Sequence, residues 1–299
     1  MRITHQMMTN NAIRNMASNL ENMTRLQNVV ASQGQISKAS DDPVTASLSL
    51  SLTSSLKGLA DYQNTATQAG EWLSSNDFSM GKMSEAAIRA IGLVTSGLND
   101  TEGTVERGSY ANELDGILKQ VLDLANTNNQ GQYIYSGYQI NTKPFELVES
   151  TVAGVPDSIV YHGDSGVMTR SLGPGQSVNI SVDGNSAFTP LMNTLIAARD
   201  ALNANDMTTL RTSLSDLQTA SDTLDAAMGT NGTRMRQVDQ VSDYLSQSAV
   251  EMKAVLSQKQ DANLAEAISM LKNQETSYQV VLEVSQRAIS ALTLFDYLS

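Results

Sequence analysis

The chain has 299 residues, a formal net charge of −12 and no cysteine. So acidic a chain lacks the basic surface that neutralises phosphates, which argues against a nucleic-acid partner. Without cysteine, disulfides, thiol nucleophiles and cysteine metal sites are excluded. No stretch approaches the roughly 18 apolar residues that span a bilayer, and the first residues lack the apolar region of a secretory signal peptide. We therefore expect no membrane partner and no cleaved signal.

The N-terminal segment carries an apolar stripe with helical spacing. Its members follow one another at steps of three and four residues: Ile13, Met16, Leu20, Met23, Leu26 and Val30. Such spacing places them on one face of a helix. The stripe stops before Gly34.

A second helix is predicted to start in the segment SKASDDPVTAS at residues 37–47. Asp42 can accept hydrogen bonds from the open N–H groups of the first turn, and Pro43 fits the first helical position, where no N–H is needed. We expect the helical run to continue from Val44 to about Gly97, with breaks, and a third helix to run from Val105 to Ala125.

The sequence pattern changes between residues 131 and 190. Short apolar runs such as QYIYS, SIVYH, VMTRS and VNISV alternate there with glycine- and proline-rich turns. This pattern predicts a small antiparallel β unit. Beyond Pro190 the helical spacing returns, and we expect that helix to end near Gly229, because glycine weakens helices.

From Arg234 to the end the chain contains neither glycine nor proline. One stripe alternates steps of four and three residues: Leu264, Ile268, Leu271, Glu275, Tyr278, Leu282, Ser285, Ile289, Leu292 and Asp296, with Phe295 shifting it at the end. The spacing predicts a coiled coil with polar interruptions. We expect both narrow terminal stripes to be disordered in the monomer and to fold on assembly. An intramolecular bundle helix is the alternative.

Four segments carry a family resemblance. They are ITHQMM, SKASDDPVTAS, LANTNNQGQYIYSGYQINTKPF and the amphipathic C-terminal segment. In this order they resemble the family of bacterial flagellar hook-associated protein 3, the hook–filament junction proteins of the flagellin superfamily. Flagellins usually carry a KDD-A segment after the first helix and an asparagine-rich segment in place of YIYSGY, so the junction family is favoured.

The resemblance implies an elongated, mainly α, α+β fold. Residues 1–43 and 255–299 would pair as a terminal coiled coil, residues 44–130 and 191–254 would form a helical rod, and residues 131–190 would form an outer β domain. It also implies an extracellular structural role in the flagellum after export without a cleaved signal peptide. The implied partners are hook-associated protein 1, flagellin, further copies of the chain, and a flagellar export chaperone at the C-terminal helix.

We predict that the two terminal stripes form the subunit interface. The predicted interface residues are Met7, Ile13, Met16, Leu20, Met23, Leu264, Ile268, Leu271, Tyr278, Leu282, Ile289, Leu292 and Phe295. The chain offers little apolar surface to cover these stripes, so we expect neighbouring subunits to cover them.

No catalytic, cofactor or metal site is predicted, and no small-molecule substrate. His162, Asp164 and Ser165 lie within four positions, too close for the geometry of a catalytic triad. The run LGPGQS lacks the lysine and hydroxyl residue that end a phosphate-binding loop. The alternating tyrosines of QYIYSGY favour packing over ligand binding.

Two other functions remain open. A flagellin filament subunit would polymerise alone into long filaments. A cytoplasmic coiled-coil scaffold protein would have folded termini as an isolated monomer.

Overall fold

The computed structural model describes residues 2–36, 38–150 and 156–297, the side chains of residues 2–6, 8, 9 and 287–297 excepted. In this part of the chain the helices are α1 (Arg2–Ser32), α2 (Pro43–Gly97), α3 (Thr104–Ala125), α4 (Gly184–Ala204), α5 (Met207–Gln260) and α6 (Leu264–Tyr297). The strands are β1 (Asn128–Asn129), β2 (Gln132–Tyr133), β3 (Phe145–Val148), β4 (Ser158–Tyr161), β5 (Thr169–Gly173) and β6 (Gln176–Asn179). The mainly helical α+β class predicted from the sequence is confirmed.

The chain divides into two compact units. One comprises residues 1–58 and 248–299, and the other comprises residues 59–247. Long helices α2 and α5 contribute residues to both units, since the divisions fall inside them.

The described strands form three antiparallel pairs: β1 with β2, β3 with β4, and β5 with β6. The first pair is joined by a two-residue turn in which Gln130 and Gly131 both have positive φ, 54° and 87°. Two positive φ values are typical of the tight hairpin turn that matches the twist of the strands. The predicted strand QYIYS therefore ends early, and Ile134 and Tyr135 leave it to become buried.

The core of the second unit is built by side chains from helices and strands together. Its fully buried large residues include Leu73, Met80, Leu118, Ile134, Tyr135, Phe145, Leu172, Phe188 and Leu191. Helices α3 and α4 pack against each other. Because the strand pairs are too small to bury a face alone, they depend on the helices for a core.

This core also contains buried polar side chains that form hydrogen bonds. The Asn76 side-chain amide donates to the carbonyl oxygen of Ile180 at 3.0 Å, and the Asn231 amide donates to the carbonyl oxygen of Leu73 at 2.9 Å. The Tyr135 hydroxyl contacts the Ser79 hydroxyl and donates to the carbonyl oxygen of Asn76 at 3.1 Å. These bonds link α2 to α5 and to the β region, because Asn231 lies on α5 and Tyr135 and Ile180 lie next to strands β2 and β6.

The expected end of a helix near Gly229 is wrong. Helix α5 passes through Gly229 and Gly232 without a break. Glycine costs a helix interior about 1 kcal/mol relative to alanine, but Leu224, Asn231 and Val238 are buried before, between and after the two glycines. Packing of these side chains outweighs the weak local propensity.

Arg199 on α4 ties three carboxylates together. Its side chain is 14% exposed, and its guanidinium lies 3.1 Å from Asp115 Oδ1, 2.9 Å from Asp157 Oδ2 and 2.9 Å from Asp200 Oδ1. The pKa of Asp115 is held low by hydrogen bonds from Lys119 and Arg199. That of Asp157 is held low by the backbone N–H of Ser150 and by Arg199.

Replacing Arg199 by alanine should lower the free energy of unfolding by about 1–2 kcal/mol at neutral pH. This is less than the cost of breaking a fully buried pair, because all three carboxylates are partly exposed. The lowered pKa values stabilise the fold above the ordinary carboxyl pKa of 3.8 and lose this effect as the pH falls through them. Urea unfolding at neutral pH and near pH 3 should therefore show the difference shrinking with acid.

Lys119→Ala is the matched control for that experiment. Lys119 pairs with Asp115 in a largely exposed ion pair, so its removal should change stability far less than removal of Arg199. An effect of Arg199→Ala that stays the same down to pH 3 would rule out the charge pairing as its cause.

Candidate assembly surface

Helices α1 and α6 pack against each other within the first unit. The side chains that are buried or half-buried recur at steps of three and four residues on both helices. On α1 they include Ala12, Met16, Asn19, Met23, Leu26 and Val30, and on α6 they include Leu264, Ala267, Leu271, Gln274, Tyr278, Val281 and Ser285. This spacing is the heptad pattern of a two-helix coiled coil.

A polar pair interrupts the apolar contact. The Gln274 side-chain amide donates to Asn19 Oδ1 at 2.7 Å and to the Asn19 carbonyl oxygen at 3.3 Å. Polar residues at such positions select one register and one helix partner at some cost in stability.

The loop that follows α1 and the loop that precedes α6 are joined by backbone hydrogen bonds. The N–H of Gln35 donates to the carbonyl oxygen of Gln260 at 2.7 Å, and the N–H of Ala262 donates to that of Gln33 at 2.9 Å. Gly34 and Asp261 form an antiparallel bridge between them. The pairing explains why the long C-terminal helical segment is divided at residues 261–263, although it lacks glycine and proline.

The predicted interface residues fall into two groups. Met16, Met23, Leu264, Leu271, Tyr278 and Leu282 are half-buried. Met7, Ile13, Leu20 and Ile268 are 63%, 58%, 46% and 51% exposed. The side chains of Ile289, Leu292 and Phe295 lie outside the described residues.

Sequence periodicity missed part of the α1–α6 contact. Ala267 is 6% exposed and lies in the contact, whereas the neighbouring Ile268 is left outside it. Gln274 is also half-buried there, in place of the predicted Glu275. Small and polar residues carry no apolar signal, so only the interruption of the stripe could have indicated them.

The segment SDDP caps α2. Asp42 Oδ1 accepts from the backbone N–H groups of Val44 and Thr45, both at 3.1 Å, and Asp42 Oδ2 accepts from the Thr45 hydroxyl at 2.6 Å. Pro43 is the first residue of the helix. The hydrogen bond from the Thr45 side chain, with those from the backbone, lowers the pKa of Asp42, because each favours the charged carboxylate.

The histidine of the β region contacts a glutamate at the surface. His162 Nε2 lies 2.9 Å from Glu146 Oε2 on β3. Asp164 Oδ1 accepts instead from the backbone N–H groups of Tyr138 and Gly166, both at 2.8 Å. Asp164 is therefore used to hold the loop that precedes β5.

Within the described residues, no helix combines the length and hydropathy required to cross a membrane. In the same part of the chain, no three histidine or carboxylate side chains lie close enough together to hold a metal ion.

Comparison with known proteins finds similarity to flagellar proteins. Residues 3–140 match the family model of the bacterial flagellin N-terminal helical region. The flagellar hook-associated protein 3 of Escherichia coli K12 is 23% identical over 298 residues, which cover 93% of this chain and 94% of that protein.

Solved structures show the same fold. A flagellar hook-associated protein from Vibrio parahaemolyticus superimposes with a TM-score of 0.65 at 20% identity, covering 74% of this chain and 100% of its own. The FlgL protein of Bacillus cereus gives a TM-score of 0.61 at 24% identity, covering 69% and 99%. These structures show the fold, and the matches to hook-associated protein 3 and to the flagellin N-terminal region confirm the resemblance that four sequence segments indicate.

Proposed function

We propose that the chain is a structural, non-enzymatic protein of the bacterial flagellum that forms the junction between hook and filament. In this proposal it contacts hook-associated protein 1 on one side, flagellin on the other and further copies of itself around the tube. It reaches the extracellular flagellum without a cleaved signal peptide. Before export, its C-terminal helix binds a flagellar chaperone.

The observation that carries the proposal is the extent of the match to hook-associated protein 3. The match covers 93% of this chain and 94% of the Escherichia coli protein. A likeness restricted to the helical N-terminal region would fit any member of the flagellin superfamily. An end-to-end match includes the middle of the chain and favours the junction protein.

The exposed apolar side chains of the first unit support assembly. Ile13 and Leu20 on α1 and Ile268 and Val284 on α6 remain 46–60% exposed, although the two helices pack together. Covering apolar surface releases about 25 cal/mol per Å². We therefore propose that further subunits cover these side chains, and that association and ordering of the helix pair are coupled.

A unique cysteine label provides the test in cells. The chain contains no cysteine, so Ser177→Cys on the exposed part of β6 would give a single labelling site. With the variant as the only copy in the source bacterium, we expect one labelled zone at the base of each filament.

The other candidate functions predict different patterns. Label along the whole filament would identify a flagellin subunit, with which the match of residues 3–140 is also compatible. Label retained inside the cell would identify a cytoplasmic scaffold protein. Either pattern would refute the junction proposal.

A further inference from the structure

One asparagine–glycine pair in α5 combines a reactive sequence with a protected position. Asn231 and Gly232 form the only Asn-Gly sequence in the chain, and both lie in the interior of the helix. The Asn231 side chain is fully buried. Its amide donates to the carbonyl oxygen of Leu73 at 2.9 Å, and its Oδ1 accepts from the Asn76 amide at 3.5 Å. The intact amide of Asn231 therefore joins α5 to α2.

The glycine of this pair has no packing reason to be glycine. Beyond its own helical turn, a Cβ added at Gly232 would meet no described atom within 4 Å. Glycine costs a helix interior about 1 kcal/mol relative to alanine. Gly229 has the same free space but follows Met228 and not an asparagine. The two glycines therefore form a matched pair for substitution.

An asparagine that is followed by glycine can lose its side-chain amide in an unfolded chain. The backbone nitrogen of the glycine attacks the side-chain carbonyl carbon, its proton leaves with the amide as ammonia, and a succinimide ring closes. Water then opens the ring at either of its carbonyl groups, which gives aspartate or isoaspartate. Glycine favours the attack because it has no side chain to hinder the approach and its backbone is flexible.

The folded structure blocks the first step of this reaction. In a helix the N–H of Gly232 donates to the carbonyl group four residues earlier, so its nitrogen is held away from the preceding side chain. The Asn231 amide is bonded to α2 and buried away from water. The succinimide ring therefore cannot form unless α5 opens.

We propose that Asn231 is a modification site that reacts only while the second unit is unfolded, and that its products do not refold to the native structure. Aspartate only accepts hydrogen bonds, so it would place a buried carboxylate against the carbonyl oxygen of Leu73. Isoaspartate adds one carbon to the main chain and displaces the hydrogen bonds of α5. The reaction permanently alters chains that stay unfolded, and folding ends it. This inference does not depend on the flagellar role.

Mass spectrometry measures the reaction directly. The full-length protein is incubated at mildly alkaline pH, folded in buffer or unfolded in guanidinium chloride, and is then digested with trypsin. Residues 212–234 form one tryptic peptide, in which Asn231 is the only asparagine. Conversion of this amide to an acid should be about a thousandfold or more slower in the folded protein, because only its small unfolded fraction reacts.

Two glycine variants provide the test and its control. Gly232→Ala should lose the fast reaction in denaturant, because a side chain now follows Asn231. Gly229→Ala should react at the rate of the parent. Both positions have room for a Cβ, and alanine favours the helix, so both variants should fold. A difference between them reports on the reaction and not on stability.

Refolding tests the consequence of the modification. Denaturant is diluted after increasing times, and folded chains are separated from the others by size-exclusion chromatography. The modified peptide should be confined to the fraction that does not refold, whereas Gly232→Ala should refold fully at every time. Asn231→Asp reproduces one product and should unfold at a lower denaturant concentration than the parent.

The proposal is overturned if folded and unfolded protein react at Asn231 at the same rate. It is also overturned if Gly232→Ala reacts in denaturant as fast as the parent does. Refolding of modified chains as complete as that of unmodified chains would equally contradict it. That result would follow if Arg234, one turn later on α5, paired with the new carboxylate.

Discussion

Leu282→Asp is expected to abolish assembly into the flagellum while leaving the second unit folded. Leu282 is half-buried on α6, between Tyr278 and Ser285 of the α1–α6 contact. An ionised carboxylate there would have to be desolvated without a partner, which costs several kcal/mol. Residues 59–247 form their own compact unit and should be unaffected.

Two measurements check this prediction. Motility and the position of the Ser177→Cys label report on assembly, and the fluorescence of Trp72 under urea reports on the second unit. Ser277→Asp adds the same charge at an exposed position of α6 and should assemble normally. Wild-type motility in the Leu282→Asp strain would contradict the prediction, because assembly would then proceed with a charge at this position.

The cap at SDDP could be predicted because it depends on neighbouring residues only. Asp42, Pro43 and Thr45 lie within one turn, and their hydrogen bonds do not require the rest of the fold. The start of α2 at Pro43 agrees with the expectation for the same reason. Local chemistry of this kind is visible in a sequence without an alignment.

The register of the terminal contact could be predicted only in part. Leu264, Leu271 and Tyr278 belong to both the predicted and the observed contact. Between them, the predicted Ile268 is exposed and the adjacent Ala267 is buried. A repeat of 3.6 residues permits either choice, and the partner helix decides which one is covered.

The break between α5 and α6 depends on residues that are distant in sequence. Residues 261–263 contain no glycine or proline. The N–H of Ala262 and the carbonyl oxygen of the adjacent Gln260 are hydrogen-bonded to the loop at residues 33–35. Asn263 then accepts from the backbone N–H of Glu266 at 3.3 Å and caps α6. Such pairing across the chain has no local signature.

The groove lined by Trp72 and Arg170 could not be predicted from the sequence for the same reason. Trp72 and Arg170 are far apart along the chain, and only the fold brings α2 and the β5–β6 region to one groove. The tyrosines of QYIYSGY show that sequence prediction also fails over a few residues. Tyr135 is fully buried and Tyr138 is 64% exposed, because the chain turns between them instead of continuing as a strand.

Tyr135→Ala is expected to lower the free energy of unfolding by about 3–5 kcal/mol, as other large aromatic deletions in cores do. The ring of Tyr135 meets Phe188 edge to face with centroids 4.6 Å apart. Burial raises the pKa of its hydroxyl, so the proton that is donated to Asn76 stays in place across the ordinary pH range. The backbone carbonyl of Tyr135 also accepts from the Tyr161 hydroxyl at 2.9 Å.

Two further variants divide this effect between packing and hydrogen bonding. Tyr135→Phe keeps the ring and removes the hydroxyl, so it should cost about 1–2 kcal/mol, the price of leaving buried partners unsatisfied. Tyr138→Ala, at the exposed position three residues on, should cost less than about 1 kcal/mol. Urea unfolding followed by Trp72 fluorescence measures all three. If Tyr135→Phe were as damaging as Tyr135→Ala, the bonds to Ser79 and Asn76, and not the packing on Phe188, would hold the β region on the helices.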